Sequence, residues 1–220
     1  MDVAAARVFL QPDFRDSTGR AGRRLARSTR MGGGRGKDRY WRQPGADISS
    51  RSGFGAALIG LYLHWHGQSL SPERASRFAS SFSVGTGAHV GQAALSGGIM
   101  IATRANAAMA RAWCPEKTRR GDTVLFDGYI SNRAELCSAL GNKFHSDASL
   151  YAGGYAAWGD AIDDRAIGAF SVIIIDRDER SVRVMRTPID APPLHIWRDQ
   201  QRTVIATTPR AVFADRKSVV

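Results

Sequence analysis

The sequence predicts an α+β fold in which antiparallel sheets are layered with helices. Strand-like runs of β-branched and aromatic residues recur through residues 53–214, and the last four pair as hairpins by pattern and spacing. The helical segments are grouped in sequence rather than alternating one for one with strands, which excludes a doubly wound parallel sheet.

The first strand or hairpin is expected in "GFGAALIGLYLHWHG". A helix follows in "SPERASRFASSF", where Ser71 can cap, Pro72 fits the first helical position, and Phe78 and Phe82 share a face. "SGGIMIATR" and "TVLFDGYIS" read as buried strands, with Gly128 marking a turn or a close backbone approach. Asn132 and Glu135 have capping-box spacing for a helix through Leu140, which Gly141 ends. A second helix runs from Ser146 or Asp147 to Gly159, with Leu150, Tyr151, Tyr155 and Trp158 on one stripe. A short helical piece reaches Ile167 and Gly168. "AFSVIIID", "RDER" and "SVRVMRTP" then form strand, turn and strand, "LHIWRD" and "RTVIATT" a second hairpin, and Pro209 opens a closing helix.

The 220 residues, 43% of them hydrophobic and including 9 Phe and 5 Trp, suffice for a substantial core. No apolar run reaches the ~20 residues of a membrane-spanning helix, so no membrane partner is expected. Cys114 and Cys137 are the whole cysteine complement and form no Cys-x-x-Cys pair, which points to a reducing compartment and a cytoplasmic address. Of the net charge of +11, residues 1–52 supply +7, from 12 basic and 5 acidic residues. This Arg- and Gly-rich segment has too little apolar surface to offset its chain entropy and is expected to be a disordered basic arm. A nucleic-acid arm, a transit peptide and an unselected leader added ahead of the domain by a misassigned start codon are the alternatives; nucleic acid is not the expected partner.

From Val124 to Phe213 the chain resembles the amino-terminal glutamine amidotransferase domain of the asparagine synthetase family. "VLFDGYISNRAEL" is similar to that family's strand-turn-helix, "SDASLYAGGYAAWG" to its Asp-containing helix, "AIGAFSVIIIDRDERSVRVMRTPIDAPPLHIW" to its central hairpin and Pro-Leu-Tyr turn, and "IATTPRAVF" to its closing segment. Residues 53–123 fit more loosely and residues 1–52 not at all. The resemblance implies an N-terminal-nucleophile hydrolase-like four-layer sandwich, two antiparallel sheets between helices. It also implies three parts: the arm at 1–52, the amidotransferase-like domain at 53–214, and a tail at 215–220 with the ATP-dependent synthetase domain absent.

Active members of that family use a cysteine at a free chain end, its own α-amino group serving as base. The corresponding segment here, Gly53 to Ala57, offers no thiol, hydroxyl or chain end, and Ser52 would become terminal only after cleavage at Arg51. Cys137 reads as a small buried hydrophobe, and Cys114 lies in a loop with no basic partner evident in the sequence. No catalytic residue is therefore assigned. Four positions resemble the family's glutamine pocket. Arg104 stands where an arginine pairs with the α-carboxylate, and Asp147 where an acid holds the α-ammonium. Asp127 and Gly128 stand where active members have Asn-Gly, and a carboxylate at Asp127 would repel the oxyanion that the amide stabilises. A surface charge at Arg104 and a helix cap at Asp147 are the structural alternatives.

"LSGGIM" lacks the Asp-Ser of a pyrophosphate loop, so no cofactor is expected in this chain, although the parent family uses ATP and magnesium. His64 and His66 share a strand face too sparsely furnished for a metal site, and Asp163, Asp164, Asp176, Asp178 and Glu179 read as solvated turn residues. The expected function is a glutaminase-like domain unable to hydrolyse glutamine, resembling those of beta-lactam synthetases and lasso-peptide cyclases. It would be a truncated or split product whose partner is a separate ATP-dependent ligase chain; a glutamine-like small molecule is the other candidate partner. A functional glutamine-hydrolysing fragment and a basic-arm nucleic-acid-binding protein are the alternatives.

Overall fold

Ten strands and six α-helices are seen in the computed structural model, which describes residues 6–10, 58–65, 68–83, 87–178 and 180–214. In chain order they are β1 (Ala6–Leu10), β2 (Ile59–His64), α1 (Pro72–Ser83), β3 (His89–Ala94), β4 (Gly98–Arg104), α2 (Ala107–Ala112), β5 (Glu116–Lys117), β6 (Thr123–Ile130) and α3 (Arg133–Leu140). The remainder are α4 (Asp147–Trp158), α5 (Ile162–Arg165), β7 (Gly168–Ile175), β8 (Val182–Arg186), β9 (His195–Arg198), β10 (Arg202–Ala206) and α6 (Pro209–Phe213). They build two five-stranded antiparallel sheets, β1-β8-β7-β6-β5 and β3-β4-β2-β10-β9.

Period-two alternation distributes the apolar residues among three cores. Leu61, Leu63, Met100, Ala102 and Ile205 of the second sheet meet Leu125, Ile173, Ile175, Val182 and Val184 of the first in the central core. On the outer face of the first sheet, Val124, Phe170, Val172, Ile174 and Met185 pack under Leu136, Leu150, Tyr151 and Ile162 of α3, α4 and α5. On the outer face of the second, Tyr62, Ile101 and Val204 pack under Phe78 and Phe82 of α1 and Ala211 and Val212 of α6. The order helix, sheet, sheet, helix is the layered α+β sandwich that the sequence predicts. Gly60 lets α1 approach closely, since a Cβ there would lie 2.3 Å from the Phe82 ring.

Most elements fall where the sequence places them, and the exceptions have physical causes. Ala6–Leu10, inside the segment expected to be an arm, pairs with β8 in register from Ala6↔Arg186 to Leu10↔Val182, and Leu10 is buried in the central core. Residues 1–5, 11–57 and 215–220, and with them the rest of the arm, Ser52 and the Gly53–Ala57 segment, lie outside the described residues. Trp65 is buried between the sheets, and its indole N–H donates to Thr203 Oγ1 at 2.9 Å. The Asn132 capping box does not form. The Asn132 side chain instead donates to the Arg165 carbonyl (2.9 Å) and accepts from the Ile167 N–H (2.9 Å), pinning the strand-to-helix turn to the entry of β7. Ser146, by contrast, caps α4 reciprocally with Ser149.

Asp163 is not a solvated turn residue. Its side chain is wholly buried, accepts from Tyr151 Oη at 2.5 Å and pairs with the guanidinium of Arg183. Arg183 Nη1 donates to Tyr151 Oη at 3.1 Å, and its Nε lies 3.0 Å from Asp160 Oδ1 without hydrogen-bond alignment. The cause is the period of β8. Arg183 shares its face with Met185, so its charge lies beneath α4 and α5 and requires a buried counter-charge. Asp163→Ala, which removes the buried counter-charge of Arg183 and leaves it the half-exposed Asp160, is expected to cost about 3 kcal/mol in urea unfolding, and Tyr151→Phe about 1 kcal/mol.

Candidate functional site

Arg104 and Asp127 approach the space between the sheets from opposite sides. On β4, Met100 and Ala102 face the central core, and Arg104 ends the same row. On β6, Leu125 faces that core, and Asp127 is the next residue of its row. The Arg104 guanidinium donates to the Thr103 carbonyl at 2.8 Å and sits 5.4 Å from the centroid of the Trp113 ring, a cation–π arrangement. Burial pulls the Arg104 pKa below its ordinary value, an effect that the facing Asp127 charge opposes.

Asp127 is 2% exposed, and its Oδ2 has no hydrogen-bond partner among the described residues. Burial pushes its carboxyl up to about 7, against the opposing pull of the Arg104 charge and of the Gly128 N–H. Near neutral pH the group is therefore split between a carboxylate, which repels an oxyanion, and a neutral acid, which can donate to one. Gly128 follows with φ of +116°, and a Cβ there would lie 2.1 Å from the Ala169 carbonyl oxygen, so strand pairing itself demands glycine.

Beside this pair lies a cavity of about 190 Å³. Its apolar lining includes Ile59, Ala102, Val124, Leu125 and Phe126, and its polar lining Arg104, Glu116, His145 and Ser146, with Trp113 and Cys114 also on the wall. β5 pairs with β6 at Glu116↔Val124, which brings Glu116 to the start of α4. There Glu116 Oε1 lies 3.0 Å from His145 Nε2 and accepts from the Ser146 hydroxyl at 3.3 Å.

Asp147 is turned elsewhere. Its Oδ1 pairs with Arg133 Nη1 at 2.5 Å and its Oδ2 accepts the Ile130 N–H at 3.0 Å, so it ties the end of β6 to α4 and does not line the cavity. Of the four positions read from the sequence, Arg104 lines the cavity, Asp127 and Gly128 adjoin its Leu125–Phe126 wall along β6, and Asp147 stands apart. The sequence reading missed Trp113, Glu116 and His145 as cavity residues. No spacing links them, since strand pairing and the α4 cap bring them together. Cys114 shares the cavity wall with Arg104 and His145, whereas Cys137, on α3, packs against the core under that helix.

Other candidates resolve simply. "LSGG" is the β3–β4 turn, closed by the Leu95 N–H donating to the Gly98 carbonyl at 2.9 Å. His64 is buried on β2 with its ring 5.5 Å from that of Tyr62, and His66 lies outside the described residues. Among the described residues no group of three or more His, Cys, Asp and Glu is arranged to hold a metal ion.

Residues 115–214 match the family model of a glutamine amidotransferase domain. The match takes in β5 through α6, including Glu116, Asp127, Gly128, His145 and Asp147, while Arg104 and β2 to β4 precede it. The chain thus carries a glutamine amidotransferase-like domain, in agreement with the layered sandwich and with a pocket between its sheets. No curated protein matches the chain.

Asp127 gives the site a pH signature. Between the ordinary carboxyl value of 3.8 and about 7 the folded state holds a proton that the unfolded chain releases. Stability contributed by Asp127 is therefore full below about pH 4, is lost as pH rises to about 7, and stays lost above it. Asp127→Asn is expected to remove that slope and to exceed the parent at pH 8 by about 1–3 kcal/mol, read as the difference between parent and variant urea curves at pH 4.5, 6 and 8.

Proposed function

We propose that the chain supplies the glutaminase-like domain of an asparagine-synthetase-type, ATP-dependent amide-forming enzyme, and that this domain holds an amino-acid-sized ligand without hydrolysing it. One combination carries the reading: Arg104 lines a pocket between the sheets, while the residues leading into the adjacent β2 strand, Gly53 to Leu58, contain no thiol or hydroxyl. A guanidinium at that place suits a carboxylate, and without a nucleophile no acyl-enzyme forms. The family match over β5 to α6 supports the amidotransferase part of the proposal, and the resemblance to glutaminase-inactive amide-forming enzymes supports its silence. Adenylation of the acid, with ATP and magnesium, would belong to the ligase domain or chain that this domain serves. A reducing, cytoplasmic setting suits the two unpaired cysteines. No helix among the described residues is long and apolar enough to cross a membrane.

The placement of Cys114 on the cavity wall favours one competing reading, glutamine hydrolysis through a thiol other than a chain-terminal one. Incubating the purified chain with L-glutamine and measuring glutamate separates the two. The expected result is no release above the protein-free rate, unchanged in Cys114→Ser and Arg104→Ala. Release that Cys114→Ser abolishes would establish the competing reading instead.

A further inference from the structure

The cavity presents two opposite charges that do not neutralise each other. Arg104 and Glu116 both line it, yet no ion pair joins them among the described residues, and the charge that acts on Arg104 is that of Asp127. Glu116 is held in place from one side only. Its Oε1 takes the contacts of His145 and Ser146, while Oε2 takes none among the described residues. At 27% side-chain exposure the carboxylate is partly desolvated, which strengthens a charged hydrogen bond made there. Apolar residues, among them Ile59, Ala102 and Phe126, complete the lining. The volume is below the ~300–1,000 Å³ of drug-sized sites, which limits the occupant to a small molecule.

We infer that Glu116, and not Asp147, is the acid that holds the ammonium of a bound α-amino acid whose carboxylate pairs with Arg104. The inference rests on the proposed non-hydrolytic, amino-acid-holding pocket and names its second recognition residue. The motif position Asp147 cannot fill that role in this structure. Both of its oxygens are engaged, by Arg133 and by the Ile130 N–H, and a ligand that recruited them would break the tie between β6 and α4. Glu116 has an oxygen available and faces the cavity. A neutral or singly charged acid of the same length would satisfy Arg104 alone and leave the Glu116 carboxylate without a counter-charge.

The test is calorimetric titration of the full chain with L-glutamine and with its deaminated analogue, 5-amino-5-oxopentanoic acid, with glutamate assayed in the same samples. L-Glutamine is expected to bind about tenfold or more tighter than the analogue, the difference made by a charge-assisted contact. Glu116→Gln, isosteric and able to keep its carbonyl contacts to His145 and Ser146, is expected to erase that preference while retaining affinity for the analogue. Arg104→Ala is expected to weaken both ligands, and Asp147→Asn to preserve the preference. A Glu116→Gln protein that still prefers L-glutamine overturns the inference, whether or not Asp147→Asn folds. Loss of the preference in a folded Asp147→Asn protein overturns it as well, and binding of neither compound overturns it together with the pocket reading. Glutamate appearing in the samples would contradict the non-hydrolytic reading, while the Glu116 assignment would still stand or fall on the ligand preference.

Discussion

Face-to-face packing of two antiparallel sheets governs what the rest of the molecule can do. Every central strand must send alternate residues into the shared core, so β2, β4 and β10 on one side and β6, β7 and β8 on the other are buried on both faces. Leu61, Leu63, Ile173 and Ile175 become fully inaccessible in that core. The apolar pattern stops at the end of the β4 row and within the β6 row, where Arg104 and Asp127 take the next inward positions. Both charged groups are therefore partly or wholly desolvated by the packing that defines the fold. The low Arg104 pKa and the high Asp127 pKa follow from that position.

The same packing sets the chemistry of the pocket. Its lining is the edge of an apolar core, so a ligand gains little there unless it satisfies the few polar groups that reach it. Arg104 is braced by the Thr103 carbonyl and the Trp113 ring, and Glu116 by His145 and the Ser146 cap of α4. Each of these two charged groups is thus oriented by an element with a separate structural reason to exist. Asp147 shows the opposite case, a motif position whose carboxylate is consumed by holding two elements together.

Strands and helices with strong periodicity were legible in the sequence. Ile59–His64, Thr123–Ile130 and Gly168–Ile175 carry continuous β-branched or aromatic runs, and α4 carries both a capping serine and an apolar stripe. Less legible were the elements without periodicity. β3 reads His-Val-Gly-Gln-Ala-Ala, α2 is six residues long and β5 only two, so each owes its state to neighbours rather than to composition. Arg104 was legible in the site through the family resemblance, and Gly128 because it interrupts a buried strand. Glu116 and His145 were not, since they are 29 residues apart and meet only through the β5–β6 ladder and the start of α4. The buried Arg183–Asp163–Tyr151 cluster was missed for the same reason, although an arginine at a core-facing position of β8 was itself a signal.

The claim that this domain retains a ligand pocket but has lost hydrolysis can be tested in one tube. The full chain would be titrated with L-glutamine labelled with carbon-13 at the side-chain amide, following the Trp113 indole proton by NMR while the labelled carbon is watched over time. The account predicts that the Trp113 resonance shifts saturably, because Arg104 stacks on that ring, while the labelled carbon keeps its amide chemical shift. Conversion of the amide resonance to a carboxylate, or a Trp113 resonance that never moves, would contradict it.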